Sequence, residues 1–200
     1  MNYQNEKQRT PLQNKSLYKL FRLWADALND SGKDMFIVLK DVVEIPWTSR
    51  SVKRYLWLPI IGKVADLEAS YDAMSVMLSN YIEIETLPIA NDIMQVGFKK
   101  GLRIYFNIIA DALNDAGKDM RVVLKPMGSQ VWWDKDLVKE FLWRPIQRAQ
   151  LGKISTTELS TKEIDEVYDT VNRHLGKYID TIFFPSIKDI IIQQEYEKRK

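Results

Sequence analysis

Cysteine is absent from these 200 residues, which removes disulfides, thiol nucleophiles and cysteine-based metal sites. Histidine occurs once, as His174, so no histidine pair or zinc trio forms within one chain. It falls on a predicted helix beside Val171, Leu175 and Tyr178, where a boundary histidine is a plainer reading than a catalytic one. No glycine-rich phosphate loop is present: Gly97 and Gly101 flank Phe98, Lys99 and Lys100 inside a helical pattern. Asp26 with Asp30, and Asp111 with Asp115, lie four apart on solvent-facing helix sides, whereas a magnesium site needs convergent carboxylates. No apolar run approaches membrane-spanning length, and residues 1–7 lack the apolar core of a signal peptide. A net charge of +2 supplies no global field toward nucleic acid. The expectation is a cytoplasmic, non-enzymatic chain with no metal and no cofactor.

What is there is written twice. Residues 25–35, Ala-Asp-Ala-Leu-Asn-Asp-Ser-Gly-Lys-Asp-Met, return at 110–120 with one difference, Ala116 against Ser31. Trp47 recurs as Trp133, and Leu56-Trp57-x-Pro59 as Leu142-Trp143-x-Pro145. Tyr71-Asp72, Leu78, Tyr81 and Pro88 recur as Tyr168-Asp169, Leu175, Tyr178 and Pro185. The register slips by eleven residues between Pro59 and Tyr71, because copy two is longer there. A copy of about 90 residues is marginal alone. The expected fold is therefore mainly α: two divergent tandem helical repeats packed as an intramolecular pseudo-dimer, with room for short β segments. Its expected divisions are an N-terminal segment 1–11, repeat one 12–96, repeat two 97–192 and a frayed end 193–200.

Leu12, Leu17, Leu20, Phe21, Trp24, Ala27 and Leu28 recur at three and four spacing, the stripe of an amphipathic helix, and Gly32 is placed to cap it. Residues 35–40 suit one or two helical turns, and Pro46 breaks the pattern. Thr48 and Asp134 are N-cap candidates for the next helix of each copy. Pro59 and Pro145 should kink or end those helices. Further helices are expected over 67–81 and 161–178. Residues 81–85 alternate apolar and acidic side chains, the pattern of a short strand. A helix starting at Pro88 is expected to run through Gly97 into copy two, with a bend near Gly101.

The residues that suggest a ligand are aromatic and cationic. Trp47 and Trp133 stand at a helix entrance in each copy, with Trp57 and Trp143 further along. Around them lie Arg50, Lys53 and Arg54 in copy one, and Lys135, Lys139, Arg144 and Arg148 in copy two. Rings interleaved with cations suit single-stranded nucleic acid, where bases stack and phosphates pair with Lys or Arg. The competing reading is that recurrent tryptophans fill a core; it is the stronger one for Trp57 and Trp143, and evenly matched for Trp47 and Trp133.

Arg9-Thr10-Pro11-Leu12-Gln13-Asn14-Lys15-Ser16-Leu17 resembles the opening of the phage NinB/lambda Orf family of recombination proteins, a basic segment leading into Gln-Asn and an apolar helix. Trp47 with Val52-Lys53 is similar to that family's tryptophan-then-lysine helix. The segment Ser155-Thr156-Thr157-Glu158-Leu159-Ser160-Thr161-Lys162-Glu163 resembles its later Ser-Thr-x-x-Leu segment, and Phe184-Pro185 falls near its close. Copy two also resembles a group of small phage proteins that carries no known activity.

The NinB resemblance implies a homodimer-like fold that binds DNA, prefers single strands and assists recombinase loading in the cytoplasm of a host cell. Gln13-Asn14 occurs only in copy one and the Ser155 segment only in copy two, which implies one composite site fed by both. Capping explains Pro11 with Gln13, and Ser160 with Glu163, without a ligand. It does not explain Ser155, Thr156 and Thr157, whose hydroxyls and amides suit phosphate. The expected partners are single-stranded DNA and a host or phage recombination protein. The alternative is a protein-binding module, such as a phage inhibitor of a host or defence protein.

Overall fold

The computed structural model describes residues 10–40, 43–64, 66–83, 85, 97–186, 188, 191–192 and 195–196. Helix α1, Pro11–Asp30, starts from a capping box: the Thr10 amide donates to Gln13 Oε1 at 2.8 Å, and Thr10 Oγ1 accepts from the Gln13 amide. Its buried stripe is Leu17, Leu20, Phe21, Trp24, Ala25 and Leu28, and each such fully buried large side chain stabilises by about 1.5–3 kcal/mol. Gly32 ends the helix at φ 65°, where the Lys33 amide reaches back to the Leu28 carbonyl at 2.8 Å. Helix α2, Met35–Val38, is capped by Asp34.

The next helical run begins at Thr48 as anticipated, with α3, Ser49–Ser51, then a π-helical stretch, π1, Val52–Trp57, and α4, Leu58–Ile61. After α5, Leu67–Leu78, the described chain resumes with α6, Phe98–Asp115, and α7, Met120–Leu124. Asp134 caps α8, Lys135–Val138, which leads into π2, Lys139–Trp143, and α9, Arg144–Leu151. A short 3-10 turn, Thr156–Glu158, precedes α10, Thr161–Leu175.

Three expectations need correction. Pro145 does not end its helix, which continues to Leu151, whereas the helix holding Pro59 stops at Ile61, two residues on. The turn before each widens, with Leu58 donating to the Lys53 carbonyl and Arg144 to the Lys139 carbonyl. A π turn of this kind accommodates a residue that lacks an amide donor and crowds the preceding turn. No strand occurs among the described residues: the Tyr81 and Ile82 amides both bond the Leu78 carbonyl, at 2.8 and 3.0 Å, and so are unavailable to a ladder. No helix runs through Gly97, whose φ of 88° and ψ of 136° set the start of α6 instead, and Gly101 lies buried inside that helix. The expected helix start at Pro88 lies outside the described residues, as does most of the segment 193–200.

The chain divides into two compact units, residues 1–40 with 131–200, and residues 41–130. These units cut across the sequence copies. In the first, α1 and α2 of copy one belong with α8, π2, α9 and α10 of copy two. In the second, α6 and α7 of copy two belong with α3, π1, α4 and α5 of copy one. Inside the first unit α8 packs on α1, and α10 packs on π2 and α9. Inside the second, α3 and π1 pack on α6, and α5 on α4 and π1.

Both units are closed by the same bonds. Asn29 holds Trp133 through its peptide N–H and C=O, each at 2.9 Å, and Trp133 Nε1 donates to the Lys33 carbonyl at 2.9 Å. Asn114 holds Trp47 at 2.8 and 3.0 Å, and Trp47 Nε1 donates to the Lys118 carbonyl at 2.8 Å. The Met35 amide meets the Val131 carbonyl, and the Met120 amide the Ile45 carbonyl, both at 2.9 Å.

The cores differ in shape. In the first unit the Trp24 ring stacks 6.0 Å from Tyr168 and lies 6.3 Å from Trp143. Leu20, one turn earlier, is aliphatic and fully buried. In the second unit these two positions are Tyr105 and Ile109. Tyr105 meets Tyr71 edge-on at 4.9 Å and Trp57 at 6.1 Å. Small-then-large in one helix is thus large-then-small in the other. Burial pushes the Tyr105 hydroxyl far above the ordinary tyrosine range, with Tyr71 adding to the rise.

Candidate nucleic-acid interface

The expected stacking tryptophans are interior. Trp47 and Trp133 are 3% and 2% exposed, with both indole N–H groups and both peptide bonds engaged as described. A buried ring offers no face to a base, so both leave the candidate interface. Trp57 and Trp143 are core residues, at 2% and 0% exposure. Trp143 Nε1 donates to Gln147 Oε1, and Gln147 Nε2 to the Lys153 carbonyl, both at 3.0 Å.

The second set of expected residues falls within the first unit. Gln13 serves the α1 cap, and Asn14 is half-buried in the first turn. Gln13, Ser16, Thr161, Asp165 and Phe184 line a cavity of about 260 Å³. Residues from both copies therefore meet there, but Ser155, Thr156 and Thr157 are not in its wall. Thr156 is 6% exposed. Ser155 Oγ lies 2.7 Å from Thr157 Oγ1 and accepts from the Thr157 amide at 3.3 Å. Those hydroxyls are thus used in shaping the turn.

Lys153, which the sequence reading overlooked, completes this corner. Its Nζ donates to both Glu163 oxygens at 2.6 and 2.7 Å and to the Glu158 carbonyl at 3.1 Å. Lys153 beside it, with help from Ser160, holds the Glu163 carboxyl below its usual range.

Two of the copy-two cations, Arg144 and Lys139, have partners within the unit. Arg144 Nη1 reaches both Glu140 oxygens at 2.6 Å. Lys139 Nζ lies 3.2 Å from Tyr18 Oη and 5.3 Å from its ring centre. Arg148 is exposed on the last turn of α9.

In the second unit Arg54 lies over the Tyr55 ring, 5.3 Å from its centre. Arg50 and the π1 residues Lys53 and Arg54 are exposed, and so are Lys99, Lys100 and Arg103 at the start of α6. The two stretches 49–64 and 98–110 contain no aspartate or glutamate. Because α3 and π1 pack on α6, these six cations belong to three elements in contact. In the first unit the positions matching Lys53 and Arg103 are Lys139 and Tyr18, which are in contact. The positions matching Arg50 and Arg54 there are Asp136 and Glu140, and those matching Lys99 and Lys100 are Asn14 and Lys15. Copy divergence has therefore left six cations on these touching elements of one unit and mixed charge at the matching positions of the other. Phe98, 48% exposed, stands beside Lys99 and Lys100.

Lys99, Lys100 and Arg103 were missed because they lie far from Trp47 in the chain. The available signal was the absence of acids from both stretches. Among the described residues no group of three or more His, Cys, Asp or Glu is placed to hold a metal, and no helix is long and apolar enough to cross a membrane. Comparison with family models, curated proteins and solved structures yields no match.

Proposed function

We propose that this chain binds nucleic acid through the cationic face of its second unit, with single-stranded DNA as the preferred ligand. Its role on this reading is that of a phage-type recombination accessory without catalytic activity, as the NinB-like motifs imply. The observation that carries the reading is the set Arg50, Lys53, Arg54, Lys99, Lys100 and Arg103 on three packed elements, within two stretches of chain that hold no aspartate or glutamate. Such side chains neutralise phosphates and release counterions. Phe98 supplies an exposed ring for a base, the part first assigned to Trp47 and Trp133. The two units, closed by the same Asn and Trp bonds, are read as the halves of an intramolecular pseudo-dimer.

Fluorescence anisotropy with a labelled oligothymidylate across a salt series tests this. Six phosphate contacts at about −0.7 each give a slope of log affinity on log salt of about −4 for a single strand. No binding at low salt refutes the reading. Capture of a host protein that survives nuclease treatment, without oligonucleotide binding, favours the protein-binding module instead.

A further inference from the structure

The first unit is built from two pieces joined only through the second unit, residues 41–130. Its N-terminal piece, α1 with α2, is anchored to residues 96 to 169 positions away. The anchors are Asn29 on the Trp133 peptide, Trp133 Nε1 on Lys33, Met35 on Val131, and Ser16 Oγ on the Pro185 carbonyl. Trp24 completes the core beside Trp143 and Tyr168.

We infer that α1 and α2 pass between molecules, so that a second copy of this chain is the partner for the surface of residues 131–185 that they cover. Each molecule of the resulting dimer receives the other's N-terminal helices and makes every contact of the single chain. Only the path linking α2 to the second unit changes. Exchange of this kind needs no new interface, which makes it a low-cost route to a dimer.

Core shape dictates which surface accepts the helix. The Trp47 to Leu78 half of copy one presents the same Trp, in Trp47, to an incoming asparagine, but its core is cut for Tyr105 and Ile109. Leu20 would leave the Tyr105 space unfilled, and Trp24 would overfill that of Ile109. The exchanged helix therefore enters the 131–185 surface of its partner and not the 43–83 surface.

A chain without cysteine allows a direct test with full-length single-cysteine variants. Tyr18→Cys and Lys139→Cys chains are mixed, refolded together at high concentration and treated with a short bis-maleimide. The expected product is a covalent dimer linked 18 to 139, and little or none when Lys53→Cys replaces Lys139→Cys. The double variant Tyr18→Cys/Lys139→Cys, refolded dilute, cross-links within one chain and shows that the geometry permits the link. If that control links while the mixed chains yield no 18-to-139 dimer, exchange is overturned. Equal yields with Lys53→Cys overturn the selectivity.

Discussion

Asn29 grips Trp133 by both main-chain polar groups of that one residue, Oδ1 taking its N–H and Nδ2 giving to its C=O, each at 2.9 Å. Asn114 does the same for Trp47. A side-chain amide is the one group that offers a donor and an acceptor at this spacing, so aspartate or leucine cannot replace it. Two segments that are distant in the chain are aligned by this pairing, and the buried indoles that follow are fixed by it.

Replacing Asn29 by alanine strands a donor and an acceptor of the Trp133 peptide in a half-buried place. The expected loss is about 2 kcal/mol, seen as a lower urea midpoint with an unchanged slope. Asn29→Asp retains one bond and should fall between the two.

Leu20 and Trp24 are expected to couple through shape. Trp24→Ile opens a cavity and Leu20→Tyr overpacks, each costing on the order of 2 kcal/mol alone. The double variant reproduces the Tyr105 and Ile109 order of the other unit. Its destabilisation should be smaller than the sum of the singles by at least about 1 kcal/mol. Simple additivity in chemical denaturation would show that the two sites do not share one space.

On the cationic face, Lys53→Ala and Arg103→Ala should each weaken oligonucleotide binding and flatten the salt dependence by about 0.7. Lys53→Glu and Arg103→Glu should weaken it further. Lys162, whose side chain is 86% exposed on α10 opposite Glu166, is the control, and Lys162→Ala should leave the anisotropy titration unchanged. Phe98→Ala should reduce affinity for a single strand more than for a duplex, because only unstacked bases reach a ring.

His174 gives the stability a pH dependence of defined sign. Burial, followed by the charges of Lys177 and Lys40, holds its imidazole below the ordinary value of 6.5. The unfolded chain therefore takes up the proton first. Its contribution is complete above about pH 6.5 and declines as the pH falls through that value, levelling off below the folded pKa. His174→Gln should remove this inflection from a plot of unfolding free energy against pH.

Glu163 titrates in the opposite sense. Its carboxyl is held low by Lys153, so its contribution is present above the ordinary glutamate range and is lost as the pH falls through the depressed value. Ser160→Ala, which removes the α10 cap, should cost about 1 kcal/mol. Lys153→Met should destabilise at neutral pH and converge on the parent in acid, as followed by circular dichroism during denaturation.

The local design of this protein is legible in its residues. The repeat, the helix stripes, the caps at Thr48, Asp134 and Ser160, and the stop at Gly32 all rest on neighbours within a few positions. Arg50, Lys53 and Arg54 could be named for the same reason, since charge needs no fold to be recognised. Trp47 and Trp133 could not be resolved this way. A tryptophan at a helix entrance looks alike whether solvent or an asparagine from a distant helix meets it. The alternation over residues 81–85 misled because those first amides were already committed to the Leu78 carbonyl.

The sequence by itself determined that two copies of one helical plan exist, and that they diverged in charge. Tertiary structure alone decided which half of each copy joins which. Every local signal is present twice, so pairing within a copy and pairing across copies are equivalent by pattern. The choice falls to the fit of Leu20 and Trp24 against one core and of Tyr105 and Ile109 against the other, a matter of volume that no single helix contains. The same crossing brings α6 of copy two, which carries Lys99, Lys100 and Arg103, against α3 and π1 of copy one, which carry Arg50 and Lys53.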